Sequence, residues 1–232
     1  MNKVDNTTPF NSNNYDDNIK ITQPFYQDFY TETADIIKTI TPSPNNWLDT
    51  GCGTGKMIEV ASKDFINTNF HISDPSKEMI KIAKEKLQQK NIKHTIIGNH
   101  KTKDIPDNYN NKFNVVTAIL SHHYLNKIER EKSFNRCYNL LDNKGVFINF
   151  EIIKPTSETT TKISIERWKN AQVKMGKTED QATKHLSRYG KEYYPITLNE
   201  HISLLKQTGF NIIDIFWLSH MQAGFYAIKE PN

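Results

Sequence analysis

The chain has 232 residues, a net charge of +4, 36% hydrophobic and 24% charged positions, and two cysteines. That length holds one α/β domain with a real core and little more. No apolar run nears the ~20 residues of a bilayer-spanning helix, two distant cysteines make neither a disulfide framework nor a metal motif, and no basic–apolar signal pattern opens the chain; a reducing, cytoplasmic location away from membranes is expected.

The first residues are rich in Asn and Asp and poor in aliphatics, which predicts a mobile arm over residues 1–14. A single domain is expected over residues 15–232, its first part, 15–45, forming a helical cap. There Phe25, Phe29, Thr33, Ile36, Ile37 and Ile40 recur at helical spacing, and Pro42 and Pro44 end the helix begun at Pro24. Asn46 to Thr50 reads as a short buried strand. Three alternate glycines follow, Gly51, Gly53 and Gly55, and then Met57, Val60, Ala61 and Phe65 mark one face of a helix. Phe70 to Asp74 is a second strand ending in an acid, with Pro75 expected in the first turn of the next helix. Met79, Ile80, Ala83 and Leu87 carry the buried face of that helix. The lysines between Lys77 and Lys93 alternate with apolar residues and predict a solvated face, so nucleic acid is not expected as a partner.

His94 to Ile97 is a third strand, ending at Gly98, and Lys101 to Asn111 a polar loop. Phe113 to Leu120 is nearly all apolar, as a central parallel strand should be. Asn126 with Glu129 resembles a capped helix start; Ile128, Phe134, Cys137, Leu140 and Leu141 give the helix its apolar face. Asn143-Lys144-Gly145 turns into a fifth strand, Val146 to Ile153. Residues 154–195 break the alternation and read as a helical lid or substrate insertion with Trp168, Tyr189, Tyr193 and Tyr194 embedded. Thr178 with Gln181 and Thr197 with Glu200 are capping boxes. Phe210 to Leu218 and Gly224 to Lys229 predict two antiparallel strands joined by a short turn.

Alternating strands and helices predict an α/β fold: a doubly wound, seven-stranded, mostly parallel sheet with an antiparallel C-terminal strand. Ligands of such sheets lie beyond the carboxyl ends of the strands. The glycine turn, Asp74, Gly98-Asn99 and Ser121-His122-His123 all fall at such ends and are expected to meet in one crevice. The run Asp49-Thr50-Gly51-Cys52-Gly53 departs from the dinucleotide fingerprint at Lys56, where a third glycine belongs, and its acid repels a pyrophosphate.

Asp49-Thr50-Gly51-Cys52-Gly53-Thr54-Gly55 resembles the first motif of class I S-adenosylmethionine-dependent methyltransferases, which have a Rossmann-like fold. Asp74-Pro75-Ser76-Lys77-Glu78-Met79 looks like their second motif, whose acid accepts both ribose hydroxyls. Gly98-Asn99 stands where many members have Gly-Asp beside the adenine. Ser121-His122-His123-Tyr124-Leu125 and Leu140-Leu141-Asp142-Asn143-Lys144-Gly145 resemble the segments around the fourth and fifth strands. The resemblance implies metal-independent, in-line methyl transfer from S-adenosylmethionine to a small-molecule acceptor, with S-adenosylhomocysteine as product. Its implied cofactor residues are Asp49, Gly51, Cys52, Gly53, Gly55, Asp74, Pro75, Met79, Asn99, His100 and Ser121, with Tyr15 and Tyr26 closing over the ligand. His122 and His123 are the candidate bases. Their adjacency speaks against a shared metal, and a homodimer is left open.

Tyr15-Asp16-Asp17-Asn18-Ile19, Gln23-Pro24-Phe25-Tyr26 and, in the tail, Leu204 to Phe210 with Gly224 to Lys229 look like the carboxy-S-adenosylmethionine synthase branch, in which an arginine of the insertion holds the new carboxylate. An ungapped match ending at Gly176 puts Val173 in that place, which favours ordinary methyl transfer. Such a synthase, acting on the cofactor itself, and a nicotinamide-dependent oxidoreductase are the alternatives.

Overall fold

The computed structural model describes residues 14–231. Of the predicted arm over residues 1–14, all but Asn14 lies outside the described residues. The elements run α1 (Tyr15–Lys20), α2 (Tyr26–Ile40), β1 (Asn46–Thr50), α3 (Lys56–Ala61), β2 (Asn69–Ser73), α4 (Lys77–Gln89), β3 (His94–Gly98), β4 (Phe113–Ile119), α5 (Lys127–Leu140), β5 (Leu141–Ile152), α6 (Glu158–Lys174), α7 (Glu179–Leu186), α8 (Leu198–Thr208), β6 (Ile212–Ser219) and β7 (Gln222–Ile228).

The strands form one sheet in the order β3-β2-β1-β4-β5-β7-β6. The first five are parallel, and β7 runs antiparallel to both β5 and β6. The predicted Rossmann-like methyltransferase architecture is therefore present. One apolar layer, from Phe29 and Ile37 of α2 through Ile58 and Ala83, covers one face; a second, with Phe134, Leu140, Leu205 and Phe210, covers the other. The strand order reverses between β1 and β4. An alanine Cβ at Gly51 would lie 2.5 Å from Ser121 Cβ, so the loops after these two strands touch. That contact is the switch point where doubly wound sheets open a ligand crevice.

The capped starts arise from local chemistry. Side chains of Asn126, Thr178 and Thr197 accept from the N–H three residues on, and a further capping box, Ser157 with Thr160, opens α6. Three local expectations are corrected. Pro75 precedes the helix, because Ser76 caps α4 by accepting from Met79 N–H. Phe25 also stands outside its helix, left-handed at φ 61° and 48% exposed, with its ring against Trp217 and His220. Ile128 sits in the exposed first turn of α5 and contributes nothing to the core.

The insertion is anchored from within. Trp168 is fully buried, and its indole donates to the Thr22 carbonyl at 2.9 Å, which fixes α6 to the N-terminal cap. Among the described residues no helix is long and apolar enough to cross a membrane.

Candidate cofactor site

A cavity of about 280 Å³ opens between the loops after β1, β2 and β4 and the tyrosines of α1 and α2. Gly51, Cys52, Gly53 and Thr54 form its floor, Asp74, Pro75, Ser76 and Met79 one side, Ser121, His122, Tyr124 and Leu125 another, and Tyr15, Tyr26 and Tyr30 a third.

The loop after β1 needs glycine for two separate reasons. All three glycines have positive φ, a region that side chains rarely enter. Gly51 is also pressed against Ser121, whereas a Cβ at Gly53 would meet no atom within 4 Å, although the residue lies on the cavity wall. Gly53 is thus a cradle that only a ligand fills. Gly55 is different: it caps α3, and a Cβ there would stand 3.3 Å from both Ala83 and Leu87 of α4, rather than in the cavity.

Asp74 holds the loop in shape. One carboxylate oxygen accepts from Gly53 N–H at 2.9 Å and the other from Ser76 N–H at 2.8 Å. On the other side, Asp16 of α1 accepts from Thr54 at 2.6 Å and pairs with Lys86 at 2.7 Å, tying the helix that carries Tyr15 to the glycine loop.

Asp49 lies beneath the cavity rather than on its wall. It is 2% exposed and accepts from the Thr117 hydroxyl at 2.7 Å. Burial pushes its carboxyl up to about 7 against that hydrogen bond, and the charge of Asp74 adds to the rise. Two further expected contacts are off the wall. Asn99 turns its amide toward the Asp74 carbonyl at 3.5 Å, and the His100 ring covers Gly98, where a Cβ would lie 2.5 Å from Nε2.

The two candidate bases part company. Leu120, left-handed at φ 53°, ends β4 and turns the chain so that His122 lines the cavity. His122 Nε2 meets the Thr102 hydroxyl at 2.9 Å, and its Nδ1 is buried with no hydrogen-bond partner among the described residues. Burial lowers its pKa to about 4 despite the nearby carboxylate of Glu151, so the ring is neutral around pH 7. His123 points away from the cavity, with Nδ1 3.3 Å from Glu151 Oε2. Its removal from the cavity has a physical cause: a carboxylate with 0% exposure needs partners.

Glu151 had no signature in the sequence, because every position of a central parallel strand is buried and no alternation flags an acid there. Its Oε1 accepts from the His122 backbone N–H and from Asn149, each at 3.0 Å. Burial raises its carboxyl, but His123, His122 and His201 outweigh that and hold it at about 2. The same turn is bolted to the insertion: Tyr194 N–H donates to the His123 carbonyl at 2.7 Å, and Arg130 bridges the His122 and Tyr194 carbonyls. Tyr193 meets His123 and Tyr124 edge-on, while Tyr194 is 45% exposed. Arg188 of the insertion acts through its charge on Tyr124, a cavity-wall residue, lies over the Tyr193 ring and pairs with Glu192 at 2.7 Å. Val173, on α6, does not reach the cavity.

The site can hold a ligand with a ribose-like diol at Asp74 and a cationic portion between the buried acids and the tyrosine rings. Comparison with known proteins agrees with this chemistry. Residues 48–147 match the methyltransferase domain family. The carboxy-S-adenosyl-L-methionine synthase of Nautilia profundicola is 25% identical over 93% of this chain and 90% of its own length. The synthase of the same name from Staphylococcus epidermidis is 24% identical over 94% and 93%. Among solved structures, the phosphoethanolamine N-methyltransferase 2 of Haemonchus contortus bound to S-adenosylhomocysteine superposes with a TM-score of 0.67 at 14% identity, over 100% of this chain and 61% of that one; it speaks to the fold alone.

Proposed function

We propose that this chain, whose residues 48–147 match the methyltransferase domain family, binds S-adenosylmethionine beside Gly53 and converts its methyl group to a carboxymethyl group: prephenate gives up CO2 and hydroxide to become phenylpyruvate, the CO2 joins the methyl carbon, and the proton that carbon loses leaves with the hydroxide as water. The observation that carries this reading is the extent of the likeness. The carboxy-S-adenosyl-L-methionine synthases match over the cap and the insertion as well as the domain core. Arg188 supports it: it is one of two arginines in residues 154–195, and its charge acts on the cavity-wall Tyr124. On this reading Arg188 takes the role that the sequence match had left at Val173.

The residues present fit the cofactor. Gly53 leaves room where a Cβ would intrude, Ser121 Oγ is a buried hydroxyl with no partner among the described residues, and Asp49 and Asp74 suit a ligand bearing a sulfonium and an ammonium. When bound, S-adenosylmethionine supplies a methyl carbon activated by the sulfonium. The chain's contribution is alignment and exclusion of water, worth up to ~7–11 kcal/mol for a well-oriented pair. Asp74 would hold the ribose, Tyr15, Tyr26 and Tyr30 would close one wall over the ligand, and Arg188, which stands off the cavity wall, would leave Glu192 to hold the incoming carboxylate through a charge-assisted contact. His122, neutral and buried, offers Nδ1 to a ligand, as acceptor when Nε2–H donates to Thr102 and as donor when Thr102 donates to Nε2, or serves as a wall.

Incubation with S-adenosylmethionine and prephenate, followed by mass spectrometry, tests this. A cofactor heavier by one CO2, lost in Arg188→Ala, is expected. Formation of S-adenosylhomocysteine with an added small acceptor, and no heavier cofactor, would return the chain to ordinary methyl transfer.

A further inference from the structure

Tyr26 and Tyr30 stand one turn apart on α2 and both line the cavity. Their hydroxyls meet: Tyr30 donates to the Tyr26 oxygen at 2.9 Å. The two residues are 5% and 6% exposed. A phenol carries one proton. Tyr30 spends its proton on Tyr26, so the Tyr26 proton must go elsewhere, and among the described residues no protein acceptor takes it. A buried hydroxyl left without an acceptor is costly, and the open direction is the cavity.

We infer that Tyr30 is a positioning residue: by donating to Tyr26 it aims the Tyr26 hydroxyl proton into the cavity, onto a carboxylate of the bound ligand. This rests on the cofactor reading above. A carboxylate is the group that needs such a donor. The two ammonium groups on the cavity wall are already engaged, Lys56 with Glu59 at 3.4 Å and Lys101 with Glu129 at 3.3 Å. Asp74 on the cavity wall and Asp49 beneath it are the acids that favour the ligand's cationic centres. A neutral phenol meets the carboxylate of that same ligand without cancelling those acids. Burial keeps both phenols protonated, so each offers a proton rather than a charge. A hydroxyl that accepts one hydrogen bond also becomes the stronger donor of the next.

The carboxylate has two sources: the amino-acid carboxylate that S-adenosylmethionine already carries, and the one added to its methyl carbon. Calorimetric titrations separate them, using S-adenosylmethionine, its decarboxylated analogue and carboxy-S-adenosylmethionine against wild type, Tyr26→Phe, Tyr30→Phe and the double variant. Phenylalanine keeps each ring and its packing. Tyr26→Phe is expected to weaken binding by about tenfold or more, the scale of one charge-assisted hydrogen bond, and Tyr30→Phe by about threefold to fivefold. The double variant should bind no worse than Tyr26→Phe alone, because Tyr30 acts through Tyr26. Loss of the Tyr30→Phe effect with the decarboxylated analogue assigns the amino-acid carboxylate; a Tyr30→Phe effect confined to the carboxylated ligand assigns the new one. Additive losses, or equal affinities of wild type and Tyr30→Phe for all three ligands, would overturn the inference while leaving the cofactor reading intact. Failure of wild type to bind any of the three would overturn both.

Discussion

Gly51 and Gly53 sit two residues apart in one loop, yet replacing each by alanine should have opposite consequences. Both are left-handed, so alanine costs about 1–2 kcal/mol at either position. At Gly53 that is the whole cost to the fold, since the new Cβ meets nothing within 4 Å. At Gly51 the Cβ would stand 2.5 Å from Ser121 Cβ and 2.9 Å from its hydroxyl. Overpacking of that kind adds about 1–3 kcal/mol, for a total near 2–5 kcal/mol. In a chain of this size each kcal/mol lowers Tm by roughly 2–4 °C. Gly53→Ala should therefore melt within about 8 °C of wild type while its affinity for S-adenosylmethionine falls at least about tenfold, or 1.4 kcal/mol. Gly51→Ala should melt lower than Gly53→Ala, by the overpacking increment. Differential scanning calorimetry and isothermal titration on the same preparations give both numbers. A Gly53→Ala variant that binds with wild-type affinity would refute the reasoning, because the ligand would then not lie against that face of the loop.

Asp49 predicts a proton signature. Its native value near 7 exceeds the ordinary ~4 of the unfolded chain, so the native state holds a proton that the unfolded state releases, and its contribution to stability falls as pH rises from about 4 to 7. Three units cap that contribution at about 4 kcal/mol. A cationic ligand favours the carboxylate, so binding at pH 6 should release part of one proton, seen as a dependence of the titration heat on buffer ionisation; Asp49→Asn should abolish it, and a buffer-independent heat in wild type would contradict it. Glu151→Ala leaves the His122 amide, Asn149 and His123 facing a void and should destabilise by about 3–5 kcal/mol in a denaturant melt, with a loss under ~1 kcal/mol telling against the buried hub. His122, neutral above pH ~5, should contribute no limb between pH 6 and 8 to the rate profile; a limb there that vanishes in His122→Asn would reverse this assignment.

What could be read from the sequence was what local backbone chemistry dictates. The glycine turn announced itself because its φ values and close approaches exclude side chains, and Asp74 because an acid ending a strand before a capped helix has few other uses. Parallel strands with crossover helices followed from apolar runs alternating with helical periodicity. The misses have a common cause, in that long-range partners leave no local trace. His122 and His123 are indistinguishable as neighbours in sequence, and only Glu151, 29 and 28 positions away, decides which one faces the cavity. Trp168 reads as a lid aromatic until its indole is found on the Thr22 carbonyl, 146 residues away. Tyr30 hides in α2 as one more buried ring, and its hydroxyl acquires meaning only once Tyr26 is seen to share the same cavity. Phe25 was drawn into the helical pattern although Pro24 before it and a left-handed turn place it outside.

The most direct measurement is a calorimetric titration of S-adenosylmethionine and S-adenosylhomocysteine, with NADH as control and Asp74→Ala alongside. Binding of both adenosyl ligands by wild type, lost or weakened at least about tenfold in the variant, and silence toward NADH, is the predicted result. Binding of NADH alone, or binding of S-adenosylmethionine indifferent to Asp74, would contradict the assignment of this cavity.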